Sequence, residues 1–172
     1  MSDRRGVAPA PAVIRDSTVA DYPVLLALNL ESEHYLSPLS AARLAELHGA
    51  AACRRVVCAD GVVQGFLLAL REGSDYDSPN YRWFAARYAR FLYIDRVVIA
   101  AAARGRQYGI RLYEDVCGLA RVMGVERITC EYDTEPPNEG SRRFHARFGF
   151  REVGTQRVAD GRKAVSLQEL AL

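Results

Sequence analysis

The period of the apolar positions changes several times along this chain, and each change marks an element. Ala12 to Ser17 alternates as a strand does. Ser17 or Thr18 then caps a helical spacing through Asp21, Leu25, Leu26 and Leu28 that ends near Asn29. A polar segment, Leu30 to Pro38, leads to a second helical pattern from Ser40 through Leu44 and Leu47 to Gly49. Cys53 to Ala59 and Val62 to Arg71 are apolar strands joined by Asp60-Gly61, a pair suited to a two-residue hairpin turn. Glu72 to Ala89 breaks the pattern with Tyr76, Tyr81, Trp83, Phe84 and Tyr88, too many aromatics for a spacer. It reads as a substrate-side loop, or as a loop packed on the sheet.

Phe91 to Ile99 is the next strand, followed by a short loop, Ala100 to Ala103. Beyond Arg104-Gly105-Arg106-Gln107-Tyr108-Gly109, the residues Tyr113, Val116, Cys117, Ala120 and Met123 share one helix face, and Gly124 stops the helix. Gly118, inside it, suits a close packing contact. Glu126 to Tyr132 is a strand, Glu135 to Asn138 a loop and Glu139 to Phe148 a short helix. Phe150 to Val158 and Lys163 to Leu170 form a hairpin around Asp160-Gly161. Only the strand-helix-strand unit at residues 91–132 requires a parallel pair, so the chain is a mixed α+β domain.

Composition narrows the classes without choosing one. With 172 residues, 49% hydrophobic and 26% charged, one globular domain over residues 12–172 is expected, behind a disordered tail at 1–11. The start, MSDRRGVAPAPA, lacks the apolar core of a signal peptide. A net charge of +2 argues against a nucleic-acid partner, and no apolar run approaches membrane-spanning length. Cys53, Cys58, Cys117 and Cys130 form no C-x-x-C pair. They read as buried free thiols in a reducing, cytoplasmic compartment, with no metal site.

The turn at residues 104–109 carries the chemistry. A strand feeding a glycine- and arginine-bearing turn that opens a helix binds anions well. The first helical turn has N–H groups without internal partners and the positive end of the dipole. Gly105 and Gly109 allow close backbone approach, and Arg104 and Arg106 add charge.

These residues resemble the GCN5-related N-acetyltransferase superfamily, in motif and in element order from about Ala12 onward. The family's acetyl-CoA loop, Arg/Gln-x-x-Gly-x-Gly/Ala, matches at Arg104 and Gly109, with Gln107 where the first glycine is usual. Asn138 through Phe150, NEGSRRFHARFGF, looks like the family's fourth-helix segment. The position of the tyrosine that often acts as general acid is His145 here, and the segment is similar to an uncharacterised subgroup of predicted acetyltransferases. The resemblance implies a mostly antiparallel sheet of six to seven strands flanked by about four helices, with its fourth and fifth strands, the parallel pair, splayed apart. It implies acetyl-CoA with its pantetheine arm against Val97, Val98 and Ile99. The pyrophosphate would lie on residues Arg104 to Ile110, with Tyr108 among them. Asn138, Ser141 and Phe144 would line the same arm. Homodimers are common in the superfamily and are allowed here.

Acyl transfer to an amine needs a neutral nucleophile, a polarised carbonyl and a protonated leaving sulfur. Neutralising a lysine-like ammonium at pH 7 costs about 4.6 kcal/mol unless a base helps. Asp95 is the first candidate base, placed by alternation on the face of Val97 and Ile99, and an ion pair with Arg96 is its competing role. Glu31 and Glu33 are alternatives on the acceptor side, where Tyr81 and Trp83 are also expected. The N–H of Val97 or Ile99 would polarise the carbonyl. His145 is the first candidate acid, with Tyr132 and Tyr113 as stand-ins. Arg82, Arg87, Arg90, Arg142, Arg143 and Arg147 suggest either a solvated surface or an acceptor bearing a carboxylate. The reading is an acetyl-CoA-dependent N-acyltransferase acting by direct transfer on a small-molecule or peptide amine. The alternative is a catalytically silent acyl-CoA-binding sensor.

Overall fold

The computed structural model describes residues 11–172, so the expected tail lies, Pro11 apart, outside the described residues. The strands are β1 (Val13–Asp16), β2 (Cys53–Ala59), β3 (Val62–Arg71), β4 (Leu92–Ile99), β5 (Arg127–Glu135), β6 (Arg151–Val158) and β7 (Lys163–Ala171). The α-helices are α1 (Tyr22–Glu31), α2 (Ala41–Ala50), α3 (Pro79–Ala85), α4 (Tyr108–Val122) and α5 (Glu139–Phe148). All seven strands form one sheet in the order β1-β2-β3-β4-β5-β7-β6, and β4–β5 is its parallel pair. The α+β class and the splayed pair expected of the chain are therefore present, with five helices rather than about four.

The β2–β3 turn is as expected, with Asp60 and Gly61 both at positive φ, 50° and 75°. The helix α3 was not anticipated. Ser78 caps it by accepting from the Tyr81 N–H at 3.3 Å, and Pro79 opens it with a φ already helical. Its aromatics fill one core with Leu70, Phe91, Tyr93 and Leu167.

Two larger cores lie on opposite faces of the sheet. On one, α4 packs Leu112, Val116 and Ala120 against Leu67, Leu92, Ile94 and Ile128. On the other, Leu25, Leu44 and Leu47 of α1 and α2 cover Val56, Phe66, Leu68 and Val98. Each fully buried aliphatic side chain contributes about 1.5–3 kcal/mol, so the two faces fix the strand register strongly. Gly118 faces open space on the solvent side of α4 and mediates no packing contact.

The parallel pairing of β4 with β5 covers only Leu92↔Ile128 and Tyr93↔Thr129. Beyond Tyr93 the strands part. Ala100 N–H donates to Gln64 of the β3 side at 2.8 Å, so by alternation the backbone groups of Val97 and Ile99 face the opening instead. A bulge sits just below, because Leu68 pairs with Arg96 while Ala69 pairs with Ile94. The extra residue is Asp95.

Candidate active site

The bulge moves Asp95 off the face that simple alternation predicts. Val97 and Ile99 pack on the α4 side, whereas Asp95 joins a network on the α1–α2 side. The Tyr76 hydroxyl donates to one of its oxygens, and Arg96 Nε donates to the other at 2.6 Å. Arg96 continues to Asn29 Oδ1 at 2.8 Å, and Asn29 donates to the Ser37 carbonyl at 3.3 Å. Asp95 and Arg96 side chains are 5% and 6% exposed. This chain of bonds ties α1, the 30–38 segment and the 72–78 segment to β4. It also occupies both oxygens of Asp95, as the competing ion-pair role requires.

Around the network lies a cleft of about 640 Å³, bounded by residues 33–38, 76–80, β4, β5 and the β6–β7 hairpin. Tyr76, not Tyr81 or Trp83, is the aromatic that the 72–89 segment contributes. The Tyr81 hydroxyl is spent on the Arg71 carbonyl and the Ser74 N–H, at 2.7 and 3.0 Å, inside the core. Trp83 packs beneath Gly154, where any Cβ would meet the indole at 2.5 Å, and carries Arg87 over its ring. Both are structural because α3 turns them toward β6 and the core. Glu33 lines the cleft, whereas Glu31 accepts from the Ala101 N–H at 3.3 Å at the end of β4. None of Arg82, Arg87, Arg90, Arg142, Arg143 and Arg147 lines this cleft.

The sequence reading passed over Glu131. It projects from β5 into the cleft and accepts from the Tyr93 hydroxyl at 2.9 Å, while its Oε2 is buried with no hydrogen-bond partner. Burial lifts its pKa from 4.5 to about 8. Tyr93 and Asn80 oppose the lift, and the charges of Asp95 and Asp133 add to it. A carboxyl between apolar Cys130 and aromatic Tyr132 was the available signal: on β5, alternation sends Glu131 to one face and its neighbours to the other.

On that other face, Tyr132 stacks on His145, with ring centroids 5.9 Å apart and planes 26° apart. His145 is 4% exposed and uses both ring nitrogens. Nδ1 lies 2.8 Å from the Ser141 carbonyl, which can only accept, so Nδ1 carries the proton. Nε2, 2.9 Å from the Tyr113 hydroxyl, is then the acceptor. Burial lowers the His145 pKa and favours this neutral form. Tyr113 is itself sealed in the core, where burial drives its pKa well up.

The glycine-arginine turn opens α4 as the spacing predicts. Gly105 has φ 79° and Gln107 has φ 64°, so glutamine adopts the left-handed conformation at the helix N-cap. The first bond within α4 runs from Arg111 N–H to the Gln107 carbonyl at 3.1 Å, leaving the N–H groups of Tyr108, Gly109 and Ile110 without helical partners. Gly109 permits the approach of Phe144, whose ring lies 3.4 Å from where a Cβ would stand. Arg104 and Arg106 are exposed beside the turn, and Tyr108 is buried. A cavity of about 400 Å³ spans Ile99, Arg104 to Gly105 and Gln107 to Ile110, and a second of about 670 Å³ continues from it between α4 and α5. Asn138 caps α5 through Oδ1, accepting from the Ser141 N–H at 3.1 Å, which leaves its NH₂ free to donate. Ser141 Oγ lies 3.1 Å from His145 Nδ1. Val98, between Val97 and Ile99, turns its side chain to the α1–α2 core.

A parallel pair that opens midway, an anion-receptive helix N-terminus on one face and a polar cleft on the other are features of a group-transfer fold. Residues 15–150 match the Acetyltransferase (GNAT) family, and the chain belongs to that family. It is also similar to a phosphinothricin N-acetyltransferase of Streptomyces coelicolor, with 44% identity over 68 residues, 39% of this chain and 37% of that protein. The match thus spans little more than a third of that relative's length. Among solved structures, Ard1 from Thermoplasma volcanium superposes with a TM-score of 0.76 at 16% identity, covering 94% of this chain and 97% of that one. The putative acetyltransferase yncA from Salmonella typhimurium, solved with acetyl-CoA, gives a TM-score of 0.72 at 18% identity and covers 95% of each chain. At these identities the structural likeness establishes the fold. Among the described residues, no helix is long and apolar enough to cross a membrane, and no group of three metal-ligating side chains comes together.

Proposed function

We propose that the protein is an acetyl-CoA-dependent N-acetyltransferase that moves the acetyl group directly to an amine within a ternary complex. The observation that carries this is the β4–β5 opening, with the helix N-terminus on one face and the Glu131 cleft on the other. Acetyl-CoA fits the first face: unpaired backbone groups at Val97 and Ile99 suit pantetheine amides, and the turn at Arg104 to Gly109 suits phosphates. Bound there, it would supply the activated acetyl group.

Glu131 takes the role of base in this reading, in place of Asp95. Its pKa of about 8 stands close to working pH, where a carboxylate is a useful proton acceptor. An arriving ammonium favours the ionised form and then gives up its proton to it. Tyr132, on the opposite face of β5, offers its hydroxyl to the leaving sulfur. His145 has no proton to spare at Nε2 and serves instead to hold Tyr132 by stacking. Gln107 weakens the case for a silent sensor, because it adopts the left-handed backbone that a glycine would supply.

Release of free CoA thiol in the presence of varied amines tests the reading. Glu131→Gln should lower kcat/KM at least a hundredfold and remove the rise of activity through pH 8. Retention of both the rate and that pH limb would remove Glu131 from the mechanism.

A further inference from the structure

The cleft of about 640 Å³ has a charge pattern that selects among amines, and this inference rests on the transferase reading above. Five carboxylates and three cations line it. Each cation is already matched to a carboxylate of the same wall. Arg96 holds Asp95 at 2.6 Å, Lys163 holds Asp133 at 2.9 Å, and Arg43 holds Asp77. Two carboxylates are left over. Glu131 has an oxygen with no partner, and Glu33, just after α1, has no ion pair among the described residues.

We infer that the acceptor is an amine bearing a second positive charge and no carboxylate, its reacting nitrogen at Glu131 and its other ammonium toward Glu33. An amino-acid acceptor would bring a carboxylate into a cleft whose cations are all engaged. Seating it would mean sharing a cation already engaged or breaking a pair, and breaking the buried Arg96–Asp95 pair would strand a charge at a cost above what the pairing returned. A dication meets the unpaired Glu33 carboxylate, and its reacting ammonium favours the ionised form of the Glu131 carboxyl beside it. This departs from the carboxylate-bearing acceptor that the arginine-rich composition suggested, because those arginines lie elsewhere.

The test uses three probes of equal chain length in calorimetric titrations of the protein saturated with coenzyme A, which permits no turnover. Putrescine, n-butylamine and γ-aminobutyrate end respectively in a cation, a methyl group and a carboxylate. Putrescine should bind about three- to tenfold more tightly than butylamine, and γ-aminobutyrate should bind most weakly. Glu33→Gln, with unchanged Tm, should reduce putrescine to the butylamine level. Equal or tighter binding of γ-aminobutyrate overturns the inference, as does coenzyme A binding with no binding of any probe. If coenzyme A itself fails to bind, the transferase reading falls, and the same ranking measured on the protein alone still decides the charge preference of the cleft.

Discussion

Burial raises the Glu131 carboxyl from 4.5 to about 8, and the shift makes stability depend on pH. Between those values the unfolded chain has lost the proton while the folded chain keeps it. The folded state binds more protons, so stability falls as pH rises through the window and the loss is complete above about 8. The full effect is a few kcal/mol. Glu131→Gln should therefore raise the Tm above pH 8 while leaving it nearly unchanged below 4.5. A Tm difference independent of pH would contradict the shift. At the neighbouring site, Tyr132→Phe should lower kcat and spare the acetyl-CoA KM. His145→Ala should instead cost about 2–4 kcal/mol of stability, because it opens a cavity and strands the Tyr113 hydroxyl. Comparing thermal unfolding with kinetics separates the two, and a normal Tm with abolished turnover in His145→Ala would restore the histidine as acid. Glu131 and Tyr132 were both visible in the sequence as residues. The chemistry of Glu131 was not, since it arises from burial, helped by the nearby charges of Asp95 and Asp133, and only the folded chain brings these about.

At the scale of elements, local chemistry was the readable part. Asp60-Gly61 announced its hairpin, and the 139–148 helix was read with the bounds observed, set by its Asn138 cap and Gly149 stop. The helix α3 was hidden behind its aromatics, although Ser78-Pro79 is a helix-start signal. The β4 bulge left no such mark. Alternation assumes an unbroken ladder, and one inserted residue turned Asp95 to the other face. The left-handed Gln107 at the α4 N-cap is strained by about 1 kcal/mol relative to glycine. Gln107→Gly should raise the Tm slightly and leave acetyl-CoA affinity equal or better. A marked loss of affinity would mean that the glutamine side chain itself contacts the ligand.

The whole molecule is a sheet opened at one place, with different chemistry on its two faces. Helix α4 and its arginine-bearing turn occupy one face, and the acidic cleft occupies the other. The first face was legible because a turn of six residues carries it. The second was not, because segments at 33–38, 76–80, 131–133 and 158–165 build it from across the chain. The claim on which both depend is that acetyl-CoA binds at the α4 turn. Calorimetric titration with acetyl-CoA, of the wild type and of Arg104→Ala, tests it most directly. Micromolar binding in the wild type, weakened about tenfold in the variant by loss of one phosphate contact, is the expected result. No binding in the wild type, or identical binding in both, would contradict it.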